Sequence, residues 1–85
     1  MKIGTIGAGM IGATLGELWA RAGHEVKISS RHPERLSPPA GVDATDVQTA
    51  VDFADVVLLA IPLGAVPGLD PKVREALRGK VVIDA

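Results

Sequence analysis

Cysteine is absent from this 85-residue chain, and there is a single Trp, a single Phe and only two His. Without cysteine, disulfides and thiolate metal sites are excluded. Asp43, Asp46, Asp52 and Asp55 have no histidine at metal-ligand spacing, so solvated loop or cap positions account for them. Charge of one sign is also lacking: nine basic residues stand against ten acidic ones, a net −1. A nucleic-acid or anionic-membrane binder would need a basic excess or patch. No apolar run approaches the roughly 20 residues of a membrane span. The opening residues read directly as a strand, not as a charged leader and apolar secretory segment, so the expected location is the cytoplasm. A serine-nucleophile elbow, G-x-S-x-G, is missing as well.

What is present is a buried-core composition, 47% hydrophobic and rich in Ala, Val, Ile and Leu. At this length the chain makes one small domain that buries about 60–65% of its unfolded surface. Ile3 to Ile6 reads as a buried strand ending at Gly7. From Met10 to Ala22, Ile11, Leu15, Leu18 and Ala22 recur at helical spacing, and Gly23 supplies the stop. His24 to Ser30 reads as a second strand with Val26 and Ile28 on one face. The Pro-rich stretch "RHPERLSPPAG" leaves room for a single turn near Pro33 to Leu36, followed by a very short strand at Val42 to Ala44. Thr45, with Gln48 three residues on, has the capping-box spacing for a helix ending near Phe53. Asp55 to Ile61 is the strongest strand, apolar on both faces as a central parallel strand must be. After a turn at "PLGAVPG", Asp70 caps a helix with Pro71 at its first position, running to about Arg78 and stopping at Gly79. "KVVIDA" closes the chain as a final strand with an open edge, which leaves room for a homo-oligomer. Strands alternating with helices imply one α/β unit around a parallel sheet.

Gly7, Gly9 and Gly12 form G-x-G-x-x-G with a strand before and a helix after, within about thirty residues. In that setting Gly7 allows the tight turn, Gly9 the close approach of a pyrophosphate, and Gly12 close packing of helix on strand. The amide groups and positive dipole end of the helix then face the anion. A sharp strand-to-helix turn with no ligand is the competing explanation. An NAD site usually carries Asp or Glu about 20 residues on, to hold the ribose 2′-hydroxyl. Ser29, Ser30 and Arg31 stand there instead, and the first carboxylate is Glu34. Arg31 can grip a 2′-phosphate through a charge-assisted fork, Ser30 can donate a hydrogen bond, and Arg35 can add a second cation. NADP is therefore favoured over NAD and FAD; the plainer alternative makes Arg31 and Arg35 solvated loop residues.

The segments "MKIGTIGAGMIGATLGELWARAGHEVKISSR", "ADVVLLAIP" and "GKVVIDA" together resemble the NADP-binding domain of the deazaflavin (coenzyme F-420)-dependent NADP oxidoreductases, similar also to the N-terminal domain of pyrroline-5-carboxylate reductases. The resemblance covers nearly the whole chain and implies a Rossmann-like doubly wound parallel sheet, truncated to four or five strands. It implies that Gly7, Ala8, Gly9, Met10, Ile11 and Gly12 hold the pyrophosphate and that Ser30, Arg31 and Arg35 hold the 2′-phosphate. Ala60, Ile61 and Pro62 would line the floor beneath the ribose and nicotinamide. In this family hydride passes between NADP and a deazaflavin, with the protein chiefly orienting the two. Two departures accompany the likeness. The helix between the second and third strands is squeezed into "RHPERLSPPAG", which puts the third strand and part of the adenine pocket in question. The sequence also ends at the carboxyl end of a strand, where ligands of open α/β sheets lie.

Residues 1–85 are thus expected to form an NADP-binding domain, the N-terminal part of a longer oxidoreductase. The alternative is a non-catalytic dinucleotide-binding module that senses NADP or works only with a partner chain. His24, after the helix-ending Gly23, reads as a helix-terminus residue, and His32 as a loop residue beside the phosphate corner. Asp84 reads as an edge residue turned toward solvent. Met10 and Trp19 read as packing residues of the first helix, and no residue stands out as a catalytic acid or base.

Overall fold

The structure, a computed structural model, describes residues 1–7, 9–61 and 63–84, with the backbone alone for Met10, Ile11, Leu63, Gly64 and Val66. The described residues form five strands and three α-helices, in the order β1 (Lys2–Ile6), α1 (Met10–Arg21), β2 (Glu25–Ser29), β3 (Val42–Thr45), α2 (Val47–Phe53), β4 (Val56–Leu59), α3 (Pro71–Ala76) and β5 (Val81–Asp84). All pairings are parallel, and the sheet order is β3-β2-β1-β4-β5. The chain starts at the centre, runs outward to β3, then returns to the other side of β1. The switch point therefore falls between β1 and β4, the Rossmann arrangement.

Each face of the sheet has its own core. Ile3, Val26, Ile28 and Val42 form one cluster, with Trp19 and Ala20 of α1 packed on it. Ile6, Val57 and Leu59 point the other way, to Val51 of α2, Ala54 at its C-cap and Val73 of α3. Side chains alternate across a strand, so β1 serves both clusters. Fully burying each Val, Ile or Leu contributes about 1.5–3 kcal/mol before entropy is counted.

The expected apolar stripe of α1 is only partly the buried one. Leu18 is 54% exposed, and Ala22 lies outside the helix as its C-cap. The helix instead lies on the sheet through its glycines. A Cβ on Gly12 would stand 3.1 Å from the Gly7 carbonyl oxygen, and one on Gly16 would stand 3.4 Å from Val26 Cγ1. Two glycines a turn apart bring the helix axis close, and Leu18 of the predicted stripe is turned aside while Leu15 stays half-buried. Gly23 then closes the helix at φ +94°.

Between β2 and β3 the single turn expected near Pro33 to Leu36 is a 3-10 turn, Pro33–Arg35, where similar domains are expected to carry a helix. Leu36, just after it, packs on the Ile3–Val42 cluster in the space a crossover helix would fill. The third strand is nevertheless a full member of the sheet, paired to β2 from Val26↔Val42 to Ser29↔Thr45. The cap of α2 is Asp46, not Thr45. Asp46 accepts hydrogen bonds from the Thr49 amide at 2.9 Å and the Thr49 hydroxyl at 2.8 Å. Thr45 is still in β3, so its backbone is committed to the ladder, and Gln48 bonds Asp52 instead. The Pro71–Ala76 helix ends two residues short of Arg78, and "LGAVPG" winds into a 3-10 segment, Leu63–Gly68. At the far edge β5 is exposed on both faces, with Val81 at 61% on one and Val82 at 41% on the other.

Two stability predictions follow from this packing. Gly4→Ala places a Cβ 2.6 Å from the Ala50 carbonyl oxygen of α2. It should lower unfolding free energy by about 1–3 kcal/mol in denaturant titration; an unchanged midpoint would contradict the close β1–α2 contact. The Thr49 amide and then its hydroxyl hold the Asp46 carboxyl below its ordinary value of 3.8. A depressed folded pKa stabilises fully above that ordinary value and ceases to do so as pH falls through the lower one. Asp46→Ala should therefore lower Tm at neutral pH, and the difference from wild type should shrink as the pH drops below about 3.8.

Candidate functional site

The carboxyl ends of β1, β2 and β4 meet at one corner, and the chain leaves β1 there through Gly7. Its φ is +93°, a conformation that only glycine adopts without cost. A Cβ at Gly7 would also lie 2.7 Å from the Ala60 carbonyl oxygen and 2.8 Å from Ile61 Cγ2. Conformation and space both demand glycine. The turn is further tied down by the Gly7 amide, which donates to the Ser29 carbonyl at 3.1 Å.

Gly9 is the N-cap of α1 and offers no side-chain cap. A Cβ on it would meet nothing within 4 Å, so the space in front of the first turn is open and a side chain there would fill it. The first-turn amide groups of a helix have no intrahelical acceptor, and no acidic residue occupies the first turn of α1. Such an end attracts an anion. Gly12 is demanded by packing, since its Cβ would sit between the Gly7 carbonyl oxygen and Ala60 Cβ, at 3.1 and 3.3 Å.

A cavity of about 210 Å³ opens beside this turn, lined among others by Ile6, Gly7, Ser30, Arg31, Ile61 and Leu69. Val47 and Ala65 complete its mostly apolar wall. A second cavity, about 350 Å³, shares Arg31, Val47 and Leu69 with it and continues to Asp70 and Val73. Ser30 accepts a hydrogen bond from the His32 amide at 2.8 Å, which leaves its hydroxyl proton to donate elsewhere. His32 Nδ1 lies 3.4 Å from Glu34 Oε1.

The residues singled out from the sequence are thus brought together unevenly. Gly7, Ser30, Arg31 and Ile61 line one cavity, with Gly9 and Gly12 at the adjoining helix start. Ile61 stands beside Ser30 and Arg31, while Ala60 lies under the turn. Arg35 is exposed in the 3-10 turn and lines neither cavity. Ala8 and Pro62 lie outside the described residues, as do the side chains of Met10 and Ile11. Val47, Ala65 and Leu69 were not legible as site residues, because they converge from the start of α2 and the segment after β4. Asp84 is exposed, and His24 sits at the opposite end of the sheet, its amide bonded to the Trp19 carbonyl. Among the described residues there is no group of three or more His, Asp or Glu able to hold a metal, and no helix long and apolar enough to cross a membrane.

This corner can be set beside known proteins. The chain is 39% identical to the F420-dependent NADP reductase of Methanothermobacter thermautotrophicus, in a match covering all of this chain and 42% of that one. A solved structure from an Arthrobacter species, assigned as an F420-dependent NADP-reductase, superposes with a TM-score of 0.84 at 28% identity, over 99% of this chain and 44% of that one. The pyrroline carboxylate reductase of Plasmodium falciparum, solved with NADP bound, shares the fold, with a TM-score of 0.75 at 15% identity over 99% of this chain and 32% of that one. The chain spans less than half the length of each of these proteins. The sequence pattern of the family described as "NADP oxidoreductase coenzyme F420-dependent" matches residues 2–85. By that match the chain belongs to the coenzyme F420-dependent NADP oxidoreductase family.

Proposed function

We propose that this chain is the NADP(H)-binding domain of an oxidoreductase that transfers hydride between NADPH and a second substrate, a deazaflavin being the candidate that the family suggests. The observation that carries this is the corner itself. An uncapped helix start behind a positive-φ glycine adjoins an apolar cavity whose rim holds a serine and an arginine and whose lining at that rim holds no carboxylate.

Each part has a role suited to one portion of the ligand. The first turn of α1, opened by Gly9 and seated by Gly12, binds the pyrophosphate. Arg31 and the free proton of Ser30 hold the 2′-phosphate; a carboxylate there would repel it. The cavity walled by Val47, Ile61 and Leu69 takes the adenine, shielding its faces from water, so the adenine pocket persists without the missing crossover helix. Arg35 adds long-range attraction only. The cofactor supplies the hydride chemistry when bound, and the residues of this chain supply grip and orientation.

The matched proteins extend well beyond this chain, which supports residues 1–85 being one part of a larger reductase; a cytoplasmic location belongs to the same proposal. The second reading, a non-catalytic dinucleotide-binding module that senses NADP or works only with a partner chain, draws support from the apolar exposure of β5. Sedimentation across protein concentration tests that edge: self-association through it predicts a rising mass.

Calorimetric titration should show NADPH bound at least about tenfold more tightly than NADH, on the order of 1.4 kcal/mol. Arg31→Asp should move preference toward NADH; a retained NADPH preference would place the 2′-phosphate elsewhere. Ala65→Phe fills the 210 Å³ cavity from an exposed position. It should weaken both dinucleotides about tenfold or more while leaving Tm within a few degrees; unchanged affinity would remove the cavity from the site.

A further inference from the structure

Two polar side chains are completely buried in an otherwise apolar interior, Thr5 and Ser29, both at 0% exposure. Neither contacts the proposed ligand in the roles given above. Burying a hydroxyl costs free energy unless it is hydrogen-bonded, so their partners matter.

Those partners form a closed ring of three hydrogen bonds around the turn. The Ser29 hydroxyl donates to the Thr5 carbonyl. The Thr5 hydroxyl donates to the Gly7 carbonyl at 2.7 Å. The Gly7 amide donates to the Ser29 carbonyl at 3.1 Å. The ring stands where the β1–β2 ladder gives out. Parallel register runs from Lys2↔Glu25 to Gly4↔Lys27, and beyond it the contact becomes an isolated antiparallel bridge between Gly7 and Ser29. The strands part there to open the corner, and side-chain hydroxyls take over from the ladder.

We propose that Thr5 and Ser29 are positioning residues for pyrophosphate binding, locking the Gly7 carbonyl inward so that the start of α1 presents donors, and no carbonyl lone pair, to the anion. The inference rests on the proposal that the pyrophosphate sits at this turn. Gly7 is a residue whose peptide can rotate freely, since it has no Cβ. Its carbonyl is held against the Gly12 position, 3.1 Å from where a Cβ would be. Rotated outward, the same oxygen would face a diphosphate with like partial charge. The Thr5 hydroxyl opposes that rotation directly, and Ser29 fixes the strand segment from which Thr5 reaches.

The test separates positioning from plain stability and from the function reading. Thr5→Val is nearly isosteric and keeps a good strand former; Thr5→Ser keeps the hydroxyl; Ser29→Ala removes the other. Titrated with NADPH and NADH, Thr5→Val and Ser29→Ala should each lose about tenfold for both cofactors, leaving their ratio unchanged. Thr5→Ser should stay within about threefold of wild type. Hydrogen exchange at the Gly7 amide, compared with the Val26 amide in the ladder, should accelerate selectively in Thr5→Val without any cofactor. Folded Thr5→Val and Ser29→Ala that bind as wild type would overturn the proposal while leaving the function reading intact. A change in the NADPH/NADH ratio would also overturn it, because that belongs to the 2′-phosphate end. If the wild type binds no dinucleotide, the function reading fails by itself, and unaltered Gly7 exchange in Thr5→Val would then dispose of the lock. Should Thr5→Val not fold, Ser29→Ala carries both measurements.

Discussion

The peptide at Gly7 passes so close under the end of β4 that no side chain can stand there. A Cβ would lie within 2.8 Å of both the Ala60 carbonyl oxygen and Ile61 Cγ2. That contact ties the exits of the two central strands together at the switch point of the sheet. From it follows the direction in which the chain enters α1, and hence where the helix dipole points. Gly12 lets the helix settle onto the Gly7 carbonyl oxygen and the Ala60 Cβ, and Gly16 extends the close packing to Val26 and Ile28. The site is a product of backbone proximity before any functional side chain is placed.

Around that corner the two faces of the sheet divide the work. The α1 face carries the uncapped helix start, the proposed pyrophosphate site, and is built on Ile3, Val26, Ile28 and Val42. The α2–α3 face carries the apolar cavity, whose wall continues the Ile6, Val57 and Leu59 core. Arg31, two residues past the end of β2, lines that cavity beside Gly7 and Ser30. In the proposed function a single guanidinium, carried just past the end of β2, decides between a 2′-hydroxyl and a 2′-phosphate.

Much of this was legible in the residues. The spacing of Gly7, Gly9 and Gly12 between a strand and a helix, and the Ser30–Arg31 pair in place of an acidic residue, are local signals. So was the order of elements, because the hydrophobic period changes cleanly from strand to helix. The misread features share a physical cause: they are settled by contacts remote in sequence. Thr45 has the capping spacing, but β2 draws its backbone into the sheet and leaves Asp46 to cap α2. Leu18 has the right helical phase, yet glycine contacts roll α1 so that Leu18 faces outward. Val47 and Leu69 meet Arg31 only after the whole sheet has formed. Thr5 carried a signal that could have been used, being the one hydroxyl in a strand otherwise too apolar to need it.

The central claim is that one corner, at the carboxyl ends of β1, β2 and β4, receives NADP(H). Mapping amide chemical-shift changes on adding NADP tests this most directly. The largest changes should fall on Gly7, Gly9, Gly12, Ser30, Arg31, Ile61 and Leu69, with little at the opposite end of the sheet, where Lys2 and Lys27 stack over Phe53. Changes centred on Lys27, Asp43 and Phe53, or no saturable change at the glycine turn, would contradict it.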